Sequence, residues 1–363
     1  MKIAIIHDYL NQFGGAERVV SALHELFPLD PIYTSIYDEK RMPESFQRMD
    51  IHVSFMQHLP FVFRSFKYYL LLYPMAFESF DLSGCDLILS SSSAWAKGIK
   101  KRKGQLHICY CYTPMRFVWR YEDYVKRENF GPLVKAALPY FLGPLKKWDL
   151  ATSEGVDHFV AISGTVADRI RMTYGRESDI IYPPVDTQKY QISSIDKDYF
   201  LIVSRLNAYK RIDIAVEAFN QLELPLKIIG SGPARGSLKR LARENVEFMG
   251  SLPDEEIARH YAECRALVFP GEEDFGIVPV EAMAAGRPVI AYRAGGAIET
   301  VVEGKTGVFF DQATPAALMH AVKRFQFGLF NKNEIRDHAL KFDKEVFKSR
   351  MSEYISSRME GRK

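Results

Sequence analysis

Residues 271–290, GEEDFGIVPVEAMAAGRPVI, hold two carboxylates, Glu273 and Glu281, eight positions apart around an apolar run. The stretch VPVEAMAAG predicts a helix: its first turn tolerates Pro279, Glu281 to Ala284 are good helix formers, and Gly286 ends it. Gly276 and Ile277 then lie at a helix N-terminus, where backbone amides and the positive end of the helix dipole suit an anion such as phosphate. Glu273 in the preceding loop and Glu281 in the helix are placed to accept hydrogen bonds from neutral hydroxyls beside that anion, and sugars supply such hydroxyls. The competing reading is a surface-loop glutamate and a helix glutamate paired with a neighbouring base.

On both sides of this segment, short β-branched runs alternate with helical patterns, which predicts parallel sheets covered by helices: an α/β protein. The expected strands of the first half are 2–9, 31–37, 86–91, 107–112 and 158–163. Those of the second half are 199–205, 225–230, 246–250, 266–271 and 288–292. Paired prolines and polar residues place a hinge near 183–198. The expected domains are 1–185, joined by a final helix at 343–363, and 198–342. A ligand cleft belongs at the carboxyl ends of such strands.

A chain of 363 residues suits two domains, and its composition, 47% hydrophobic and 26% charged, is that of a globular protein. A net charge of +3 implies no bulk attraction to nucleic acid. The four cysteines lack disulfide-framework or metal-ligand spacing, which points to a reducing cytoplasm and to no metal. No apolar run reaches the roughly 18 residues of a membrane span, and the chain opens on a strand pattern without a basic leader.

The strand YFLIVSR ends on Arg205, and SRLNAYKR brings Lys210 and Arg211 to the next helix start. Cations gathered at a strand's carboxyl end suit a diphosphate leaving group. A second strand–glycine–helix junction supplies Gly230 and Gly232, a common packing turn. In HDYLNQFGGAERVV, Gly14 and Gly15 precede a helix expected from about Ala16, so backbone can approach a ligand closely there. The pattern is not G-x-G-x-x-G, which argues against dinucleotide binding. His7 ends the first strand and is a further cleft candidate.

Taken together, F-G-G-A-E at 13–17, S-R-L-x-x-x-K-R at 204–211 and E-D-F-G-I-V-P-V-E-A-M-A-A-G-R-P-V at 273–289 resemble glycosyltransferase family 4, the retaining enzymes of GT-B fold. SSSAWAKGI and CYCYTPMRFVW further resemble bacterial mannosyltransferases of O-antigen and related surface polysaccharides. The resemblance implies two facing Rossmann-like domains with a last helix crossing back to the first. Arg205 and Lys210 match the pair neutralising the donor diphosphate, Glu281 the residue holding the ribose, and Glu273 the carboxylate facing the donor sugar. Amides near Phe275, Gly276 and Ile277 help fix sugar and phosphate, Gly230 lies on the donor side, and Gly14 and Gly15 match a phosphate-closing loop of the other domain. The implied reaction is metal-independent and retains anomeric configuration, moving mannose from GDP-mannose to a lipid-linked or saccharide acceptor. A UDP-hexose donor is the alternative within the class; a GT-B epimerase or phosphorylase, or a non-catalytic sugar-nucleotide-binding protein, are alternatives outside it. Tyr112 stands where many relatives have His, either donating to a sugar oxygen or packing on Trp119.

From Ile88 to Lys147 there are twelve Lys and Arg against three acids, a local excess of +9. Beside it FVFRSFKYYLLLYPMAFESF, 61–80, mixes aromatics, aliphatics and bases like an interfacial helix. Together they suggest acceptor binding and peripheral contact with the cytoplasmic membrane face; a core helix followed by a solvated loop is the plainer alternative.

Overall fold

The computed structural model describes residues 2–121 and 132–361, with the backbone alone over 132–138. Contacts divide it into two compact units, Met1–Pro184 with Phe347–Lys363, and Val185–Val346.

The first unit is built on a parallel sheet of seven strands: β1 (Ile3–His7), β2 (Ile32–Thr34), β3 (Ile51–Val53), β4 (Leu87–Ser92), β5 (Leu106–Cys111), β6 (His158–Ala161) and β7 (Ser178–Ile180). Their order is β3-β2-β1-β4-β5-β6-β7. Every residue of β1, β4 and β5 is buried, as expected of central parallel strands covered on both faces. The pairing Ile3↔Leu87 to His7↔Ser91, continued by Ser92↔Cys111, sets the carboxyl ends of these three strands side by side.

The second unit holds β8 (Phe200–Val203), β9 (Leu226–Ile229), β10 (Val246–Gly250), β11 (Ala266–Phe269), β12 (Val289–Tyr292) and β13 (Gly307–Phe310) in a parallel sheet ordered β10-β9-β8-β11-β12-β13. Its core gathers Phe200, Ile202 and Val268 from strands with Val216, Phe219 and Leu318 from helices. Both sheets are doubly wound α/β structures. The chain order reverses beside β1 in one and beside β8 in the other, which puts the β8 and β11 ends at a switch point.

Three strands escape the sequence pattern: β3, β7 and β13. Each lies at a sheet edge, where one side stays open and the apolar alternation fades; β7 has one half-buried and two exposed residues. The stretch after the paired prolines is no free hinge, because Val185 and Thr187 are buried. The Val185 amide donates to the Phe342 carbonyl at 3.0 Å, and the Thr187 hydroxyl bonds Asp343. Residues 185–198 therefore belong to the second unit. The final helix, Lys344–Glu360, turns Phe347, Met351 and Ile355 inward at four-residue spacing. Phe347 meets Tyr110 edge-on at 5.6 Å, and the Tyr354 hydroxyl donates to Asp179 at 2.8 Å, so from Phe347 onward the helix belongs to the first unit.

Residues 61–80 do not form one interfacial helix. They break into Val62–Ser65, the tight turns Phe66–Tyr68 and Leu70–Leu72, and Tyr73–Glu78. Four of the twelve cations counted over 88–147 are matched by acids outside that window. Lys97 is buried on Asp149, Lys101 pairs with Asp157 at 2.5 Å, Lys100 with Glu78 at 2.8 Å and Arg102 with Asp81 at 3.2 Å. Glu122, Asp123, Lys126, Arg127 and Glu128 lie outside the described residues, as does the Lys135 side chain. Among the described residues no helix is long and apolar enough to cross a membrane.

Candidate active site

In the second unit, three loops meet at the carboxyl ends of β8 and β11. Strand β8 delivers Ser204 and Arg205; Arg205 is exposed, and its guanidinium has no ion pair among the described residues. Leu206 is fully buried behind it. Its amide donates to the Ser231 carbonyl and its carbonyl accepts from the Ala234 amide, both at 2.9 Å, which pins the Arg205 loop to the loop after β9. Gly230 makes that closeness possible. It has φ +132°, and a Cβ there would fall 1.9 Å from the Ser204 carbonyl oxygen, so no other residue fits.

The chain next makes a tight turn, Ala208–Lys210, closed by Arg211 in the left-handed region at φ 52°. The Arg211 guanidinium folds back on Asp213 at 3.3 Å, away from a shared cationic cluster. Lys210 reaches the loop after β11 instead, where its ammonium group pairs with the Glu273 carboxylate. Both side chains are mostly buried, 14% and 25% exposed. Removing one partner would strand the other charge in a partly dehydrated place.

The Glu273 loop is fixed from two sides. A Cβ on Gly271 would lie 2.7 Å from the Lys210 carbonyl. On the other side, the Gly296 amide donates to the Glu273 carbonyl at 2.8 Å, and a Cβ on Gly296 would fall 2.2 Å from Phe275 Cα. Phe275 is buried with its ring 5.7 Å from that of Phe342. Gly276, at φ +90°, then opens the helix Ile277–Ala284, as the sequence predicts. The first-turn amides of this helix have no partner within the helix, and they begin immediately after the Glu273 loop. Glu281, one turn in, is 6% exposed and accepts from the Tyr261 hydroxyl at 2.9 Å.

Gly14, Gly15 and Tyr112 belong to the first unit. Gly14 caps the helix Gly15–Leu26, one residue earlier than expected, and its amide donates to Glu17 Oε2 at 2.8 Å. The Tyr112 hydroxyl donates to the Ala16 carbonyl at 3.0 Å and shares a 2.7 Å bond with Ser91 Oγ. Ser91 Oγ lies 3.0 Å from His7 Nδ1, and His7 Nε2 lies 3.7 Å from Glu17 Oε1. Burial holds the Tyr112 hydroxyl well above its usual pKa, with the Ser91 bond opposing. Tyr112 thus braces the first turn of the glycine-led helix against β4, and its ring meets that of Tyr110 at 5.7 Å.

Sequence reading passed over Asp8. Its carboxylate accepts from the Ser93, Ala94, Trp95 and Ala96 amides at 2.7–3.0 Å and from the Ser93 hydroxyl at 2.6 Å. A carboxylate following an apolar strand was the available signal. Gly295 and Gly296 were also missed, although adjacent glycines after β12 resemble the Gly14–Gly15 signal.

The glycosyltransferase family 4 profile matches residues 13–189, and the profile for glycosyl transferases group 1 matches residues 186–326. The two matches together span residues 13–326, and the fold is GT-B. Anabaena HepE, solved in complex with UDP, is 17% identical and superposes with a TM-score of 0.73 over 98% of this chain and all of that one. The GDP-mannose-dependent alpha-(1-6)-phosphatidylinositol monomannoside mannosyltransferase of Mycolicibacterium smegmatis is 32% identical over 187 residues, 45% of this chain and 48% of that protein. The alpha-1,3/1,6-mannosyltransferase ALG2 of Dictyostelium discoideum is 23% identical over 93% of this chain and 94% of its own length. The chain spans about half the length of the first curated relatives it matches. Within this GT-B chain the group 1 match covers Arg205, Lys210, Glu273 and Glu281, and the family 4 match covers Gly14, Gly15 and Tyr112.

Proposed function

We propose that this chain is a retaining, metal-independent hexosyltransferase that moves mannose from GDP-mannose to a lipid-linked or saccharide acceptor in surface-glycan synthesis. The observation that carries the reading is the Lys210–Glu273 pair, held between the exposed Arg205 and the start of the helix Ile277–Ala284. Arg205 and Lys210 supply cationic donors for the diphosphate, so that charge developing on the leaving group meets preorganised partners. Glu273 orients a sugar hydroxyl, and the amides of Phe275, Gly276 and Ile277 complete the anion site. Glu281, steadied by Tyr261, is assigned to the ribose. Gly14 and Gly15 are assigned to a phosphate contact, with Tyr112 bracing their helix. These side chains position and neutralise; the leaving phosphate itself takes the acceptor proton during attack on the same face, so no protein nucleophile is required.

Mannose and GDP are suggested by two relatives named as mannosyltransferases, one of them GDP-mannose-dependent. A UDP-hexose is the second reading, favoured by the UDP in the Anabaena neighbour. Thermal shift with GDP-, UDP- and ADP-sugars, followed by turnover with lipid-linked acceptors, separates the two. GDP-mannose should give the largest rise in Tm; a rise with UDP-sugars alone would reject the mannose donor, and no rise with any of them would reject the transferase.

A further inference from the structure

His7 ends β1 and stands opposite Ser91 in the register of β1 with β4. Its ring is buried, 2% exposed, and has an oxygen on each side. Nδ1 lies 3.1 Å from the Ser91 carbonyl oxygen and 3.0 Å from Ser91 Oγ, and Nε2 faces Glu17 Oε1 at 3.7 Å. A carbonyl oxygen and a carboxylate oxygen can only accept. A neutral imidazole has one N–H and would turn a lone pair toward one of these two oxygens, whereas the imidazolium donates to both. The geometry therefore sets a buried cation against a buried carboxylate.

Glu17 is itself buried, 3% exposed, in the first turn of the helix Gly15–Leu26. Its Oε2 accepts from the Gly14 amide at 2.8 Å, and Gly14 has no side chain with which to cap the amides of that turn. The carboxylate has two opposed effects. It fixes the backbone of Gly14, and it sets a negative charge where the positive end of the helix would receive an anion. With little water to screen it, that charge would repel a phosphate unless a cation offset it. Among the described residues, His7 is the base within ion-pair distance of Glu17. The groups around the ring supply no substitute: Ser91 is neutral, and burial keeps the Tyr112 hydroxyl protonated. Asp8, next in the chain, gives its carboxylate to the amides of Ser93, Ala94, Trp95 and Ala96.

We propose that His7 is a positioning residue for the donor phosphate: as the imidazolium it neutralises Glu17, which can then hold the Gly14 amide without repelling an anion from the start of the helix Gly15–Leu26. His7 acts through Glu17 and needs no contact with the donor. This role rests on the phosphate contact assigned above to Gly14 and Gly15.

The experiment is isothermal titration of the full chain, wild type and variants, with GDP-mannose and with UDP-glucose, beside a melting curve for each protein. His7→Asn sets an amide near the place of Nδ1, so the Ser91 contact survives while the partner of Glu17 is lost. It should weaken the Kd for the preferred donor about tenfold, the scale of one uncompensated charge near a diphosphate. Adding Glu17→Gln removes that charge and keeps an oxygen for the Gly14 amide, so Kd should return to within about twofold of wild type. A merely structural His7 predicts the reverse, because a second buried substitution compounds the first. If His7→Asn alone does not fold, recovery of folding and donor binding in the double variant supports the same cause. The proposal is overturned if His7→Asn binds the donor as wild type does, or if the double variant binds no better than His7→Asn. Either result leaves the transferase reading standing. A wild type that binds neither nucleotide sugar rejects that reading, and the role of His7 with it.

Discussion

The Lys210 ammonium group and the Glu273 carboxylate form one charged unit across the ends of β8 and β11, so neither can be altered alone. With Lys210 paired to Glu273, Arg205 is the cation of the candidate donor site that has no ion pair among the described residues. Arg205→Ala should therefore lower transfer by at least about a hundredfold, the scale of losing a preorganised donor to a developing anion. Because the side chain is exposed, Tm should hardly move. Transfer at wild-type rate would remove Arg205 from the reaction.

Lys210→Ala and Glu273→Gln should each lose activity by a similar factor, and the double variant should lose little more than either single one, because paired charges couple. Both single variants should also destabilise the second unit by about 1–3 kcal/mol, as a partly buried charge is left without its partner. A double-mutant cycle on kcat/KM and on Tm reads both effects. Strictly additive losses would mean that the pair does not act as a unit.

Much of this arrangement was legible in sequence because it rests on short-range patterns. Apolar strands that end in Arg205 and lead to Lys210, and a helix announced by Gly276 and Pro279, are local signals, and the structure keeps them. What could not be read is what joins distant segments. The acids opposite Lys97, Lys101, Lys100 and Arg102 are Asp149, Asp157, Glu78 and Asp81; the first two lie past the end of the reckoned window and the others before its start, so a running charge count misses the ion pairs that the fold builds at four of its twelve cations. Tyr112 and Tyr261 raise the same difficulty, since their hydroxyls find Ala16 and Glu281 only once strands and helices are assembled.

Gly296→Ala should disturb the candidate site without touching any charged group. The added methyl would fall 2.2 Å from Phe275 Cα, so the Glu273 loop has to shift. Overpacking of this kind costs about 1–3 kcal/mol. The expected result is a modest fall in Tm with a much larger fall in kcat, because geometry near the reacting atoms is worth more to rate than to stability. Equal proportional effects on Gly296→Ala and on a remote destabilising variant would show that the loop position is not special.

Asp8→Asn tests the hub at the end of β1. The five bonds to its carboxylate all come from donors, and an amide side chain would turn an NH2 group toward some of them. The loss should be about 3 kcal/mol, the scale for a buried, multiply bonded charge. Chemical denaturation should show it as a lower midpoint with an unchanged slope. A variant as stable as wild type would make the hub incidental.

His107 supplies a pH test. It is buried on β5 with Nε2 2.8 Å from Ser90 Oγ, and burial pushes its pKa from 6.5 down to about 3. The unfolded chain therefore takes up a proton near pH 6.5 that the folded chain refuses until about pH 3. Stability from this group is complete above pH 6.5 and falls as pH drops through the interval, by up to about 1.4 kcal/mol per pH unit. His24, His260 and His338 are also shifted down, chiefly by burial, so wild type alone does not isolate the effect. His107→Gln keeps a group able to bond Ser90 and cannot be protonated in this range. Between pH 7 and pH 5 its Tm should fall less steeply than that of wild type, with the two curves converging as the pH decreases. Parallel curves would mean that His107 takes up its proton in the folded chain as readily as in the unfolded one.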